Sequence, residues 1–211
     1  NNLWRKYNIV RFSVGYRYTF ILLLLFIGIR LLYIDFVPIW DAVSITRCTL
    51  AALKPQINLN QLNCHHLSIG YLSFLAMSQF IDSGNHQSLS LTLLLFGLLG
   101  LYSYYKIVIF QFGKKNENST NSAKIPAAEI ALIVALLAFN PLFFANSLAP
   151  SLDFGVTVFF LTALYSLMYG YTLQAVSAMT LMLFTKEPGM LLYLATLSGC
   201  LVVFRINRAK K

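Results

Sequence analysis

Long apolar runs separated by short polar breaks make up most of the chain. Runs of about twenty residues have the length that an α-helix needs to cross the hydrocarbon core of a bilayer. The pattern therefore predicts an all-α fold, a polytopic bundle of transmembrane helices forming one domain over residues 1–211. Six spans are predicted, at residues 17–34, 88–111, 126–145, 155–171, 172–186 and 189–204.

One long interruption, residues 35–82, separates the first two predicted spans. Its second part, residues 66–82, is short for a span and contains several polar residues, so it is predicted to be a juxtamembrane helix in the interface. The stretch from Asp35 to His66 holds two of the seven acidic residues, two of the three cysteines and two of the three histidines. The loop that contains this stretch is therefore the main candidate region for a functional site.

Charge supports a membrane class and predicts an orientation. Charged residues form 11% of the chain, whereas soluble domains carry about 25%. The net charge of +9 comes from basic clusters beside the apolar runs, at residues 5–17, 114–124 and 205–211. This distribution follows the positive-inside rule rather than a nucleic-acid-binding pattern. A cytoplasmic position for all three clusters predicts a cytoplasmic N-terminus and places Asp41 and Asp153 together on the outer side.

Asp41 is the sharpest candidate for chemistry, because it lies just after the first span beside Trp40. A carboxylate there can act as a general base toward an acceptor hydroxyl. The alternative is an N-cap, since Asp41 precedes an amphipathic stretch that a capping aspartate would open.

Four further residues near predicted span ends have a chemical and a structural interpretation. His65 and His66 begin the juxtamembrane segment. One of them with Asp153 can hold a divalent cation or a phosphate, and the alternative, which the spacing alone favours, is an interfacial histidine. Asp153 can equally be an N-cap of the following span. Lys186 can bind a lipid phosphate as a point charge, or it can belong to a turn or a buried pair with Glu187.

The two loop cysteines, Cys48 and Cys64, lie on the predicted outer side, where oxidation is feasible. Their spacing leaves open a disulfide and two free thiols. The chain has no Walker glycine loop, no Gly-Xaa-Ser-Xaa-Gly elbow, no His-Glu-Xaa-Xaa-His motif and no CxxC motif. Nucleotide, hydride and protease chemistry therefore have no support in the sequence.

Four segments occur in an order that resembles a known family. They are IWDA with Asp41, HHLSIGY with His65, His66 and Tyr71, the stretch AFNPLFFANSLAPSLDFG with Asp153, and LFTKEPG with Lys186. In order and spacing they are similar to the N-terminal half of GT-C glycosyltransferases that use lipid-phosphosugar donors, such as the protein O-mannosyltransferases and the aminoarabinose transferase of lipid A. The resemblance covers most of the chain and implies further spans, and often a soluble domain, after Lys211.

The resemblance also implies a function and roles for individual residues. The expected reaction is an inverting transfer of a sugar from a polyprenyl- or dolichyl-phosphate donor to an acceptor hydroxyl on the outer or luminal face, with Asp41 as the base. His65, His66, Tyr71 and Lys186 would bind the donor phosphate. Asp153 with His65 would hold a divalent cation such as Mg²⁺, Mn²⁺ or Zn²⁺.

Such an enzyme is expected in a bacterial inner membrane or the endoplasmic reticulum, in contact with its lipid-linked donor and membrane lipids. Two other functions are compatible with the sequence. One is a catalytically inactive relative that serves as a subunit of a larger membrane complex. The other is a lipid or solute transporter, which would place polar residues along several mid-span faces, whereas spans 88–111 and 155–171 carry only scattered Ser, Thr and Tyr.

Overall fold

The computed structural model describes residues 15–35, 43, 45–46, 86–115 and 127–209. Within these ranges every regular element is an α-helix, so the all-α prediction is confirmed for this part of the chain. The helices are α1 (Gly15–Leu32), α2 (His86–Lys115), α3 (Ala127–Ala138), α4 (Pro141–Leu148), α5 (Leu152–Tyr169), α6 (Thr172–Leu183) and α7 (Glu187–Ala209).

Two of these helices are long and apolar enough to cross a membrane, namely α2 over His86–Phe112 and α5 over Leu152–Tyr169. A third candidate arises if α3 and α4 count as one bent span. These lengths and compositions are consistent with a membrane protein.

The segment predicted as a single span at 126–145 is bent by 58° between α3 and α4. Asn140 causes the break, because its Oδ1 accepts hydrogen bonds from the backbone N–H groups of Leu142 (3.0 Å) and Phe143 (3.3 Å). Pro141 follows in the first turn, where the missing N–H of proline costs no hydrogen bond. The Asn-Pro pair is thus an N-cap that starts a new helix inside the apolar run.

Helices α2 and α5 lie side by side and run in the same direction. Their contacts advance together along both helices: Phe96 with Phe154 (ring centroids 5.7 Å apart), Ser103 with Thr162 (3.3 Å between hydroxyl oxygens), and the Lys106 carbonyl with the Tyr169 hydroxyl (3.3 Å). Helix α6 then returns antiparallel to α5. The reversal uses Gly170, whose φ of 78° lies in the left-handed region that glycine adopts at little cost.

Helix α1 runs antiparallel to α2, because Gln87 at the start of α2 donates to Asp35 just after the end of α1 (3.1 Å). Arg30, in the last turn of α1, likewise meets Ser147 near the end of α4. The end of the packed helices that carries these contacts and Asp153 is termed the Asp153 end. The opposite end, where α1 begins and α2 finishes, is termed the Arg17 end.

Phenylalanine rings from four helices form the centre of the packing. Phe154 of α5 meets Phe96 of α2 and Phe143 of α4, with ring centroids 5.7 and 5.2 Å apart in edge-to-face geometry. Phe26 of α1 meets Phe144 in the same way at 5.9 Å. Such aromatic pairs favour defined relative positions, and they hold α1, α2 and α4 around the N-terminal part of α5.

A close approach of α2 to α5 at Gly100 provides a test of this packing. A Cβ atom at Gly100 would lie 3.0 Å from Val158 Cγ2. We expect Gly100→Ala to lower the free energy of unfolding by about 1 kcal/mol, because the stiff, β-branched Val158 side chain must shift to make room for the new methyl group. Gly28 has nothing within 4 Å, so Gly28→Ala should instead stabilise the helix by about 0.5–1 kcal/mol. Thermal unfolding in detergent micelles measures both, and equal shifts would contradict the close contact.

Candidate functional site at the Asp153 end

Asp153 and Lys186 form an ion pair at the Asp153 end of the molecule. The Lys186 ammonium lies 2.9 Å from Oδ1 and 3.1 Å from Oδ2 of Asp153, so it donates to both carboxylate oxygens. The two residues are 33 positions apart in sequence. Packing of α6 against α5 thus brings together two side chains that the sequence analysis placed in the candidate site.

Helix α5 positions Asp153 in its first turn. The N-cap is Ser151, so the alternative interpretation of Asp153 as an N-cap is wrong. A carboxylate in the first turn is stabilised by the positive end of the helix dipole. Its side chain is 63% exposed and faces Lys186, which leaves it accessible to a ligand.

Lys186 lies in the short turn between α6 and α7. A turn was one of the two structural alternatives that the sequence gave for this residue. Its partner is Asp153 rather than the adjacent Glu187. The turn is tight because Gly189 N–H donates to the Lys186 carbonyl (2.8 Å) and the Gly189 Cα lies against the Met182 backbone. The Lys186 side chain is 34% exposed, and its ammonium extends from this turn to the Asp153 carboxylate.

The pair itself is only weakly held. Exposed ion pairs typically contribute about 0–1 kcal/mol, because water screens both charges. A phosphate oxygen with a full negative charge can therefore replace the Asp153 carboxylate on Lys186 at small cost. The arrangement is that of an accessible cation with a resident, exchangeable counter-ion.

Arg30 is a polar residue of this end whose position the sequence pattern did not predict. An arginine near the end of a membrane span can extend its side chain to the interface, but Arg30 is only 2% exposed. Its Nη2 donates to the Ser147 carbonyl (2.6 Å). Carbonyls in the last turn of a helix lack intrahelical partners, so α4 offers an acceptor that draws Arg30 inward. The sequence signal for a buried partner was the presence of an arginine within an apolar run, since ionisable residues in spans usually face the protein interior.

Asp35 occupies the same end and is tied to Gln87 by the hydrogen bond between α1 and α2. Four predicted site residues, Asp41, His65, His66 and Tyr71, lie outside the described residues, as do Cys48 and Cys64. The structure therefore brings together Lys186 and Asp153 and leaves the roles of the loop residues as predictions.

A cation site at Asp153 was also predicted, with His65 as the second ligand. Across residues 15–35, 43, 45–46, 86–115 and 127–209, no group of three or more His, Cys, Asp or Glu side chains is arranged to hold a metal ion. Both oxygens of Asp153 face the positive charge of Lys186. The predicted second ligand, His65, lies outside the described residues, so the cation site stays a prediction.

Comparison with known proteins adds no assignment. No protein-family model, no curated protein and no solved structure matches the chain.

Proposed function

We propose that the chain is a polytopic membrane protein whose helices cross the bilayer in alternation, with the Asp153 end on the outer or luminal face. Two observations support this topology. Helix α1 runs antiparallel to α2, whereas α5 runs parallel to α2, and the bent α3–α4 pair lies between α2 and α5 in sequence, as spans that cross in alternation require. Asp35, Asp153 and Glu187 share the Asp153 end, whereas Lys114 and Lys115 lie at the end of α2 on the opposite side. A cytoplasmic Arg17 end then satisfies the positive-inside rule.

At the Asp153 end, the proposed activity is that of a GT-C-like glycosyltransferase that uses a lipid-phosphosugar donor. The observation that carries the proposal is the bidentate contact of Lys186 with Asp153. In this contact the Lys186 ammonium is accessible and its ion pair with Asp153 is weak. The resemblance to the GT-C enzymes implies a donor-phosphate ligand at this same residue. The membrane setting matches a donor that is delivered within the bilayer.

The proposed reaction is a single inverting displacement. The acceptor hydroxyl oxygen forms a bond to the anomeric carbon of the sugar as Asp41 takes the hydroxyl proton. The bond between the anomeric carbon and the phosphate oxygen breaks, and its electron pair stays on the leaving lipid phosphate. Lys186 is the proposed ligand of that phosphate in the bound donor and in the leaving group alike, so its contact contributes to donor binding. His65, His66 and Tyr71 remain predicted donor ligands, and no step of this mechanism uses a metal ion.

Lys186→Gln tests this role directly. We expect the KM for a polyprenyl-phosphate-linked sugar to rise roughly tenfold, since one charge-assisted contact to phosphate is lost. Asp153→Asn removes the same ion pair but keeps the ammonium, so its KM for the donor should stay within about twofold of wild type. Initial rates of sugar transfer by the full-length protein, measured over a range of donor concentrations with mannose as the first sugar, separate the two variants.

Equal changes in the donor KM of Lys186→Gln and Asp153→Asn would show that the ion pair acts only in packing. Failure of the wild-type protein to transfer any sugar from such donors, with the helices folded, would instead favour a non-catalytic subunit of a larger membrane complex. Movement of a lipid or solute across proteoliposomes without transfer would identify a transporter.

A further inference from the structure

A cavity of about 380 Å³ opens between α1, α2 and α3, toward the Arg17 end. Its floor is formed by buried side chains, Leu101 and Tyr105 of α2 and Val134 of α3. Phe20 and Tyr102 line it as well and are 60% and 44% exposed, so they form its rim. The volume is in the range of ligand sites in proteins, roughly 300–1,000 Å³. An apolar floor with exposed aromatic rings at its rim suits a hydrocarbon chain better than a polar solute.

Positive charge lies beside this apolar space. Arg17, in the first turn of α1, is exposed and belongs to the lining of the cavity. Lys106, one turn beyond the rim residue Tyr102, has its ammonium 5.5 Å from the centroid of the Tyr102 ring. A cation placed beside an apolar groove complements a molecule that joins an anionic group to an alkyl chain. Basic pockets between membrane helices bind anionic lipid head groups in this way.

We infer that this cavity binds an anionic glycerophospholipid, with one acyl chain between Phe20 and Tyr102 and the phosphate at Arg17. The inference rests on the membrane placement of the proposed function and not on sugar transfer. The cavity is separate from the Asp153–Lys186 pair, because Arg17 begins α1 while Asp35 follows its end. The bound lipid would be a resident of the opposite leaflet from the donor site.

The proposed contact between Arg17 and the lipid phosphate is tested by identifying the lipid that the purified full-length protein retains. The protein is reconstituted in nanodiscs of equal parts phosphatidylglycerol and phosphatidylcholine, released into detergent, and analysed by native mass spectrometry. Wild type should retain phosphatidylglycerol in preference to phosphatidylcholine. Arg17→Gln should lower that retention roughly five- to tenfold, and Arg17→Lys should restore most of it. Because Arg17 is exposed, the exchange leaves the helix packing intact.

A steric pair of variants tests the cavity itself. Leu23 lines the cavity, so Leu23→Trp should fill it and remove the preference for phosphatidylglycerol. Leu25 lies on another face of α1, is 54% exposed and does not line the cavity. Leu25→Trp adds the same ring and should leave retention unchanged.

Retention of phosphatidylglycerol by Arg17→Gln at the wild-type level would overturn the inference. Equal losses in the Leu23 and Leu25 variants would do the same, since they would point to general lipid contact rather than a cavity. Displacement of the lipid by undecaprenyl phosphate at low molar excess would assign the cavity to a prenyl donor instead, and so would also reject the glycerophospholipid. All of these readouts remain valid if the protein transfers no sugar.

Discussion

Replacement of Asp41 by asparagine is expected to reduce sugar transfer by roughly 10²- to 10⁴-fold, the usual contribution of a positioned general base. The carboxamide keeps the size of the side chain but cannot take the proton from the acceptor hydroxyl. Donor binding should be little changed, because the proposed phosphate ligand is Lys186. The loss should therefore appear in kcat, measured as initial rates at saturating donor.

Asp35→Asn is the matched control for this experiment. Asp35 lies six positions before Asp41 in sequence and accepts a hydrogen bond from Gln87 at 3.1 Å. An asparagine retains an oxygen for that bond, so we expect transfer within about twofold of wild type. Undiminished activity in Asp41→Asn would remove Asp41 as the base. A loss in Asp35→Asn as deep as that in Asp41→Asn would indicate a structural effect of charge in the loop.

The second large effect is expected at Gly189, in the first turn of α7. A Cβ atom on this residue would overlap the carbonyl oxygen of Met182, which belongs to the backbone of α6. Backbone atoms cannot move aside as a flexible side chain does. We expect Gly189→Ala to separate α7 from α6 and to lower the free energy of unfolding by roughly 2–3 kcal/mol. The shift is measured as the loss of helical circular dichroism on heating in detergent micelles.

Gly199 provides the control within the same helix. It is exposed, and nothing lies within 4 Å of a Cβ atom built there. Gly199→Ala should therefore raise stability by about 0.5–1 kcal/mol through helix propensity alone. Because Gly189 N–H also bonds to the Lys186 carbonyl, the Gly189 variant should in addition raise the KM for the donor. A Gly189 variant as stable as the Gly199 variant would show that the two helix ends are not in contact.

The sequence predicted the helical class correctly because hydropathy is a local property. The side chains of an apolar run favour a nonpolar environment regardless of which other segments pack against it. The same local character explains what the pattern missed near Asn140. An apolar run of spanning length looks continuous, whereas the Asn140 side chain caps a new helix and bends the segment by 58°. The Asn-Pro pair carried the signal, but its effect depends on the cap geometry.

Arg30 illustrates a feature that depends on a long-range contact rather than on local sequence. An isolated helix gives an arginine near its end one option, which is to reach toward water. In the folded chain the Ser147 carbonyl, 117 residues later, provides a buried acceptor at 2.6 Å. The direction of this side chain was therefore decided by the packing of α4 against α1, which no local pattern contains.

The sequence by itself determined the helical class of the described part of the chain, the apolar character of those helices and the identity of the scarce charged residues near their ends. It singled out Asp153 and Lys186 separately, each with a structural alternative. Only the tertiary structure decided that they are partners, 2.9 Å apart across 33 residues. The physical reason is that a contact between distant residues depends on the direction and packing of whole helices. Composition and spacing specify the helices, and the packing of their side chains brings the ends together.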